Sequence, residues 1–224
     1  MKKNWPFLLL SLLVLGALIS LGNWQVARMA EKSAYLAAID ARLEAAPVAV
    51  PAKPDPVADQ FLAVAAQGVL TGPEVRVLVS TRDQGAGYRI IQAFETEGRR
   101  LLVDRGYIRV AAKDTPRPAG AATVVGNLHW PDERDSYIPD NDLAANIWYA
   151  REVPALAAAL QTEPVLIITR RVTPNSPALK PLPLDTSTIP NNHLEYIITW
   201  YGLAAVWVLM SAYFLKRRNA KATP

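Results

Sequence analysis

The sequence contains no cysteine, which excludes disulfides, iron–sulfur clusters, thiolate nucleophiles and soft copper sites built from this chain alone. Histidine is nearly as scarce. Only His129 and His193 occur, in no HxH or HExxH spacing, so a zinc site made from protein ligands is not expected. Lysine and arginine outnumber aspartate and glutamate by 24 to 20. They collect at the chain ends and in a few arginine-rich strands, not in a stripe interleaved with aromatics, so no nucleic-acid partner is expected. Enzyme signatures are missing as well. No Ser/His/Asp set has a recognisable local pattern, and Gly85-x-Gly87 reads as a turn because no βαβ unit surrounds it. The acidic loop of Asp132, Glu133, Asp135, Asp140 and Asp142 lacks the central glycine and closing glutamate of a calcium loop and reads as solvated. His129, beside Trp130 at a strand end, reads as a satisfied surface or core histidine. The chain is not expected to be an enzyme.

What the sequence does have is apolar length. It is 51% hydrophobic and 20% charged, with mean hydropathy near zero, the average that two spans and one ordinary domain would give. Residues 5–24 carry no charge and make a helix just long enough to cross a hydrocarbon core of about 30 Å. A cleaved signal peptide is the rival reading, since Lys2 and Lys3 precede the run, but no small-x-small site follows. A second run, 193–215, has Tyr196, Trp200 and Tyr201 toward one end and Tyr213 toward the other, as in an aromatic belt. Lys216, Arg217, Arg218 and Lys221 follow it. The positive-inside rule then puts residues 1–4 and 216–224 in the cytoplasm and the domain of residues 25–190 outside. No transit peptide rich in arginine and serine precedes the first run, which favours a bacterial inner membrane, with membrane lipid around the spans and the domain in the periplasm.

Between the spans, Tyr35, Ile39 and Leu43 recur at helical spacing within 32–46. Residues 47–59 are proline-rich and read as linker. Residues 67–70, 75–80, 88–95 and 100–110 are β-rich and punctuated by Thr-Gly-Pro, Gly-Ala-Gly and Glu-Gly, the pattern of an antiparallel meander. Residues 123–130 and 165–172 add two strands, and 152–161 a helix with Pro154 in its first turn. Residues 174–190 form a second proline-rich tether. The expected fold class is α+β: two transmembrane helices flanking a mostly antiparallel β domain with one or two helices.

One residue stands out. Asn191-Asn192-His193 lies where the second span begins, and from His193 the positions of Tyr196, Trp200 and Trp207 follow along the helix. An imidazole for a metal beside aromatic rings for a macrocycle would suit haem, whose iron commonly takes an axial histidine. On the first helix Trp24, Gln25, Arg28 and Lys32 reach the same level, and Arg28 has the fork geometry that meets a haem propionate. A histidine at a span end also hydrates, and aromatics there also form an interfacial belt. The pattern by itself leaves both readings open.

Three motifs together go further. Leu21-Gly22-Asn23-Trp24-Gln25-x-x-Arg28-x-x-Glu31-Lys32, then Val103-Asp104-Arg105-Gly106-Tyr107-Ile108, then Asn191-Asn192-His193-Leu194-x-Tyr196-x-x-Thr199-Trp200-Tyr201 resemble the surfeit-locus (Surf/Shy) family of cytochrome c oxidase assembly factors. The family more often has Trp where Tyr107 stands and Phe where Tyr201 stands. The resemblance implies a factor that binds haem a as cargo through the histidine matching His193 and helps insert it into oxidase subunit I, acting after haem a synthase. Subunit I and haem a synthase are the implied partners. The alternative is a protein-only chaperone or scaffold for subunit I that touches no haem.

Overall fold

After Pro6 nothing in the first forty-odd residues breaks a helix, and a proline in the first turn does no harm because its missing N–H has no helical partner there. In the computed structural model, which describes residues 5–117, 119–187 and 189–220, helix α1 accordingly runs unbroken over Trp5–Glu44. The apolar run and the helical segment after it are one element. It stops just before Pro47. Its closing carbonyls need partners, and Leu43 O accepts from Asn127 Nδ2 at 3.1 Å and Arg170 Nη1 at 2.9 Å.

The chain divides into two units, Met1–Ala38 with Thr186–Pro224, and Ile39–Asp185. In the first, α1 pairs antiparallel with the C-terminal helix His193–Ala220. The covered face of α1 runs through Phe7, Ser11, Val14, Leu18, Gly22 and Gln25, and that of its partner through Ile197, Trp200, Ala204, Trp207, Ser211 and Leu215. Both advance by threes and fours, the spacing of a helix–helix seam. Phe7 meets Phe214 at a ring separation of 4.7 Å, and Trp207 Nε1 donates to Ser11 O at 3.1 Å. A side chain at Gly22 would collide with the Tyr201 ring, which would lie 2.7 Å from its Cβ. Leu8, Leu12, Leu13, Leu203, Leu209 and Met210 are exposed. A narrow buried seam on helices that are apolar all round is what lipid, not water, accommodates. Both helices are long and apolar enough to cross a membrane.

The second unit is a sheet closed on itself. Strands β1 (Ala63–Thr81), β2 (Gly85–Thr96), β3 (Arg99–Arg109), β4 (Gly120–Leu128), β5 (Ile147–Trp148) and β6 (Leu166–Thr173) are joined by helix α2 (Val153–Leu160), and the C-terminal helix is α3. Pairing runs β1–β2–β3–β6–β4 and back to β1, with β5 added beside β1. Most ladders are antiparallel, as expected for this fold class; β3–β6 and β1–β5 are parallel.

Closure depends on β1. Its first half pairs with β4 and its second with β2, the exchange falling at Val69 and Leu70. Thr71-Gly72-Pro73, expected as a turn between two strands, lies inside this one strand, where the register slips between Leu70 and Glu74. A proline cannot donate to a ladder, and a bulge at which the strand changes partners asks for no donor. Gly85 and Gly87, expected as a turn, open β2 instead; a Cβ on Gly87 would stand 2.2 Å from Ile108 O.

Side-chain alternation sorts the core. Val64, Phe94, Leu101, Val103, Val124 and Ile167 fill the barrel. Their neighbours Ala93, Leu102, Leu166 and Ile168 point outward and are covered by Val153, Leu156, Ala157 and Leu160 of α2 with Trp148 of β5. The two proline-rich segments, expected as free linkers, are docked. Val48 bridges to Val64, with Ala65 N donating to Val48 O at 2.8 Å. Lys180 and Tyr107 exchange backbone hydrogen bonds of 2.7 and 3.0 Å, and Leu179 is buried. Proline excludes these stretches from helix but leaves their other backbone groups free to pair.

Candidate functional site

His193 is the first residue of α3 and Gln25 lies on the covered face of α1, buried. The antiparallel pairing sets them opposite each other, and His193 Nδ1 lies 2.8 Å from Gln25 Oε1. An amide oxygen can only accept, so Nδ1 carries the proton and donates it. The lone pair of a neutral imidazole is then on Nε2. This is how a metal-binding histidine is held: one nitrogen is fixed by a hydrogen bond, which orients the ring and raises the basicity of the other.

The surroundings are aromatic and partly exposed. Trp24 and Tyr196 are exposed, and Trp200, in the seam, has an indole N–H that is buried without a hydrogen-bond partner. Tyr201 donates to Asn23 Oδ1 at 2.6 Å, which ties the two motif-bearing segments together just below the histidine. Arg28 is turned to the exposed side, where its guanidinium pairs with Glu31 at 2.8 Å. Lys32 lies half-buried on the seam side, with its ammonium 5.4 Å from the Tyr35 ring centre. Trp207 lies roughly 21 Å further along the helix axis than His193 and is committed to the Ser11 carbonyl. So His193 and Gln25 touch, Trp24 adjoins Gln25 in sequence, Tyr196 and Trp200 follow His193 by about one and two helical turns, and Arg28 and Trp207 serve other partners.

The Arg-Gly-Tyr motif forms a second polar centre, within the barrel unit. Asp104 has no exposure at all. It accepts from Arg89 Nη1 at 2.6 Å and from Gly106 N at 2.9 Å, with Arg151 Nη1 3.9 Å away. Arg151 is bound on its other side by Glu133. Burial would push the Glu133 carboxyl up, and Arg151 outweighs it, holding it below the usual range. His129 lies in the same field. Burial, then the positive charge of Arg151, pushes its pKa down to about 4. Its ring stacks on Phe61 at 5.6 Å, and its Nδ1 is buried without a hydrogen-bond partner, so it is not the satisfied histidine expected from the sequence. Gly106 has φ +104, and a Cβ there would stand 2.2 Å from Lys180 O. Glycine is required because the strand bulges and a second segment presses on it.

Three carboxylates of the acidic loop are engaged within it, and Glu133 is held by Arg151. Asp135 accepts from Tyr137 N at 2.8 Å, Asp142 from Ala145 N at 2.9 Å, and Asp140 pairs with Arg134 at 2.8 Å. Among the described residues no three His, Asp or Glu side chains gather as a metal site.

Residues 12–205 match the SURF1 family. The chain belongs to the SURF1 family. A SURF1-like protein of Monosiga brevicollis is 31% identical, covering 89% of this chain and 83% of its own length. A SURF1-like protein of Rickettsia felis is 29% identical over 98% of each chain. Surfeit locus protein 1 of Homo sapiens is 26% identical, over 99% of this chain and 79% of its own. The SURF1 family is known for cytochrome c oxidase assembly and is a family of assembly factors, not a known enzyme class. A two-pass membrane protein fits both the helices here and the bacterial SURF1-like relatives.

The contact between Gln25 and His193 is the part of the site that sequence reasoning missed. Helical spacing had grouped Gln25 with Arg28. The signal was present in the order of the two end motifs, since antiparallel helices of matched apolar length bring their ends level.

Proposed function

We propose that this chain acts in oxidase assembly by holding haem a as cargo at His193 and passing it to subunit I. The observation that carries the reading is the 2.8 Å bond from His193 Nδ1 to Gln25 Oε1, which leaves Nε2 as the metal-facing nitrogen. Haem would supply an iron that takes one imidazole. The protein's part is to fix that imidazole, to offer Trp24, Tyr196 and Trp200 as apolar surface, and to leave the ligand site beside lipid. Single-histidine ligation suits a carrier, because cargo held by one axial bond can be released. Both termini would lie in the cytoplasm and the barrel unit in the periplasm, following the basic residues beyond each span.

The test is to co-express the protein with the enzymes that make haem a, purify it in mild detergent, and record reduced-minus-oxidised visible spectra. A haem a band is expected in the wild type and is expected to shrink or shift in His193→Ala. An unchanged band would keep haem binding but move the ligand elsewhere. No band in either protein, with haem a present and the protein folded, would leave a protein-only scaffold for subunit I.

A further inference from the structure

The same alternation that sends Asp104 outward sends Arg105 inward, in line with Leu101 and Val103. Arg105 is 5% exposed. Its Nη1 donates to Gln92 Oε1 at 2.5 Å, and Gln92 Nε2 donates in turn to Thr71 O at 3.0 Å. Its Nε is buried without a partner. Among the described residues no carboxylate comes within ion-pair distance of it. The nearest acidic influence, Glu74, is already engaged by Arg76 and Arg117. A guanidinium this far buried, with no carboxylate in direct contact, is costly, and burial pulls its proton affinity down. Nothing in the packing of a barrel requires such a charge.

What Arg105 borders is a cavity of about 470 Å³, within the size range of small-molecule sites. It opens where β4 begins and β6 ends. Leu70 and Ala122 form its inner wall, and the segments of Pro116 and of Pro174 to Ala178 form its rim. Aliphatic and proline surface predominates among the described lining residues, with Thr115, Asn175 and Ser176 as polar groups beside Arg105.

We propose that this open end of the barrel is a binding site for a small apolar monocarboxylate, its carboxylate answering Arg105 and its hydrocarbon part lying on Leu70, Ala122 and the proline rim. One buried positive charge calls for one negative charge, and the planar guanidinium fork matches a carboxylate. A dianion would be left half neutralised in the same place, and a neutral ligand would leave Arg105 as it is. The site lies within the barrel unit and does not depend on what His193 binds.

Hexanoate is the probe, titrated into the full-length protein in lipid nanodiscs by calorimetry, with hexan-1-ol and inorganic phosphate as comparisons. Saturable binding of hexanoate is expected, at least tenfold tighter than that of hexan-1-ol, with no competition from equimolar phosphate. Arg105→Gln is expected to weaken it tenfold or more. Because that variant removes a buried bond to Gln92 and can fail to fold, Ala178→Phe provides the second arm. It fills the rim at an exposed position, leaves Arg105 and Gln92 intact, and is expected to abolish binding without moving the melting temperature. Equal binding of the alcohol, displacement by phosphate, unimpaired binding in Ala178→Phe, or no saturable binding in the wild type would each overturn the proposal.

Discussion

Acidifying the protein from pH 6.5 to 4.5 should destabilise the barrel through one residue, His129. The unfolded chain begins to take up a proton on this imidazole near 6.5, while the folded protein resists until about 4. Across that window the unfolded state binds more protons, so stability is complete above 6.5 and falls as the pH falls. The interval corresponds to roughly 3 kcal/mol; the ring is partly exposed, and solvent screening brings the expected loss to about 2. The window is a clean one. Glu133 and Glu163, held below their ordinary 4.5, and Asp55, held below 3.8, lose their contribution only at lower pH. The assay is urea unfolding of the full-length protein in mild detergent at a series of pH values, followed by fluorescence of the buried Trp148. His129→Phe keeps a ring against Phe61 but cannot titrate, and should flatten the dependence. A wild-type midpoint that does not move between pH 6.5 and 4.5, or a slope that survives in His129→Phe, would refute the reasoning.

Three further outcomes are expected. Asp104→Ala leaves the Arg89 guanidinium without its carboxylate and the buried Gly106 N–H without its acceptor, while Arg151 keeps Glu133, and should cost about 3 kcal/mol, read from the same unfolding curves; Asp104→Asn, which keeps an oxygen for the Gly106 N–H, should cost less. Gly106→Ala meets both a positive φ and the Lys180 carbonyl and should cost about 2 kcal/mol or more, with loss of amide-exchange protection at Tyr107 and Lys180. If His193 ligates haem, Gln25→Leu should weaken haem retention about 10–100-fold, whereas Gln25→Glu, which still presents an acceptor to Nδ1, should stay near wild type.

The elements with long periodic or apolar signals were legible in the sequence. Both long helices, α2 and most strand segments fall where periodicity puts them. What was not legible depends on partners far along the chain. Pro73 reads as a breaker because local rules have no way to show that a strand exchanges neighbours there. β5, only two residues long, exists because Ile147 and Trp148 find a free flank of β1. The proline-rich stretches read as linkers because composition reports what a segment cannot form, not what it can lie against. The opposed directions of Asp104 and Arg105 were available from strand alternation, but the bulge at Gly106 and the pressure of Lys180 upon it were not. At the candidate site His193 was found from its place at a span end. Its partner was not, because helical spacing relates residues on one helix and is silent about the other.

Because the sheet closes through β1, its backbone donors and acceptors are satisfied around the ring and little strand edge is left to recruit another chain. An open sheet would offer its edges as a template for wrong pairings. A sheet closed in this way is met mainly through side chains. A protein bound by this domain would therefore be recognised chiefly through the side-chain surface, and its release would need no long strand to be peeled away.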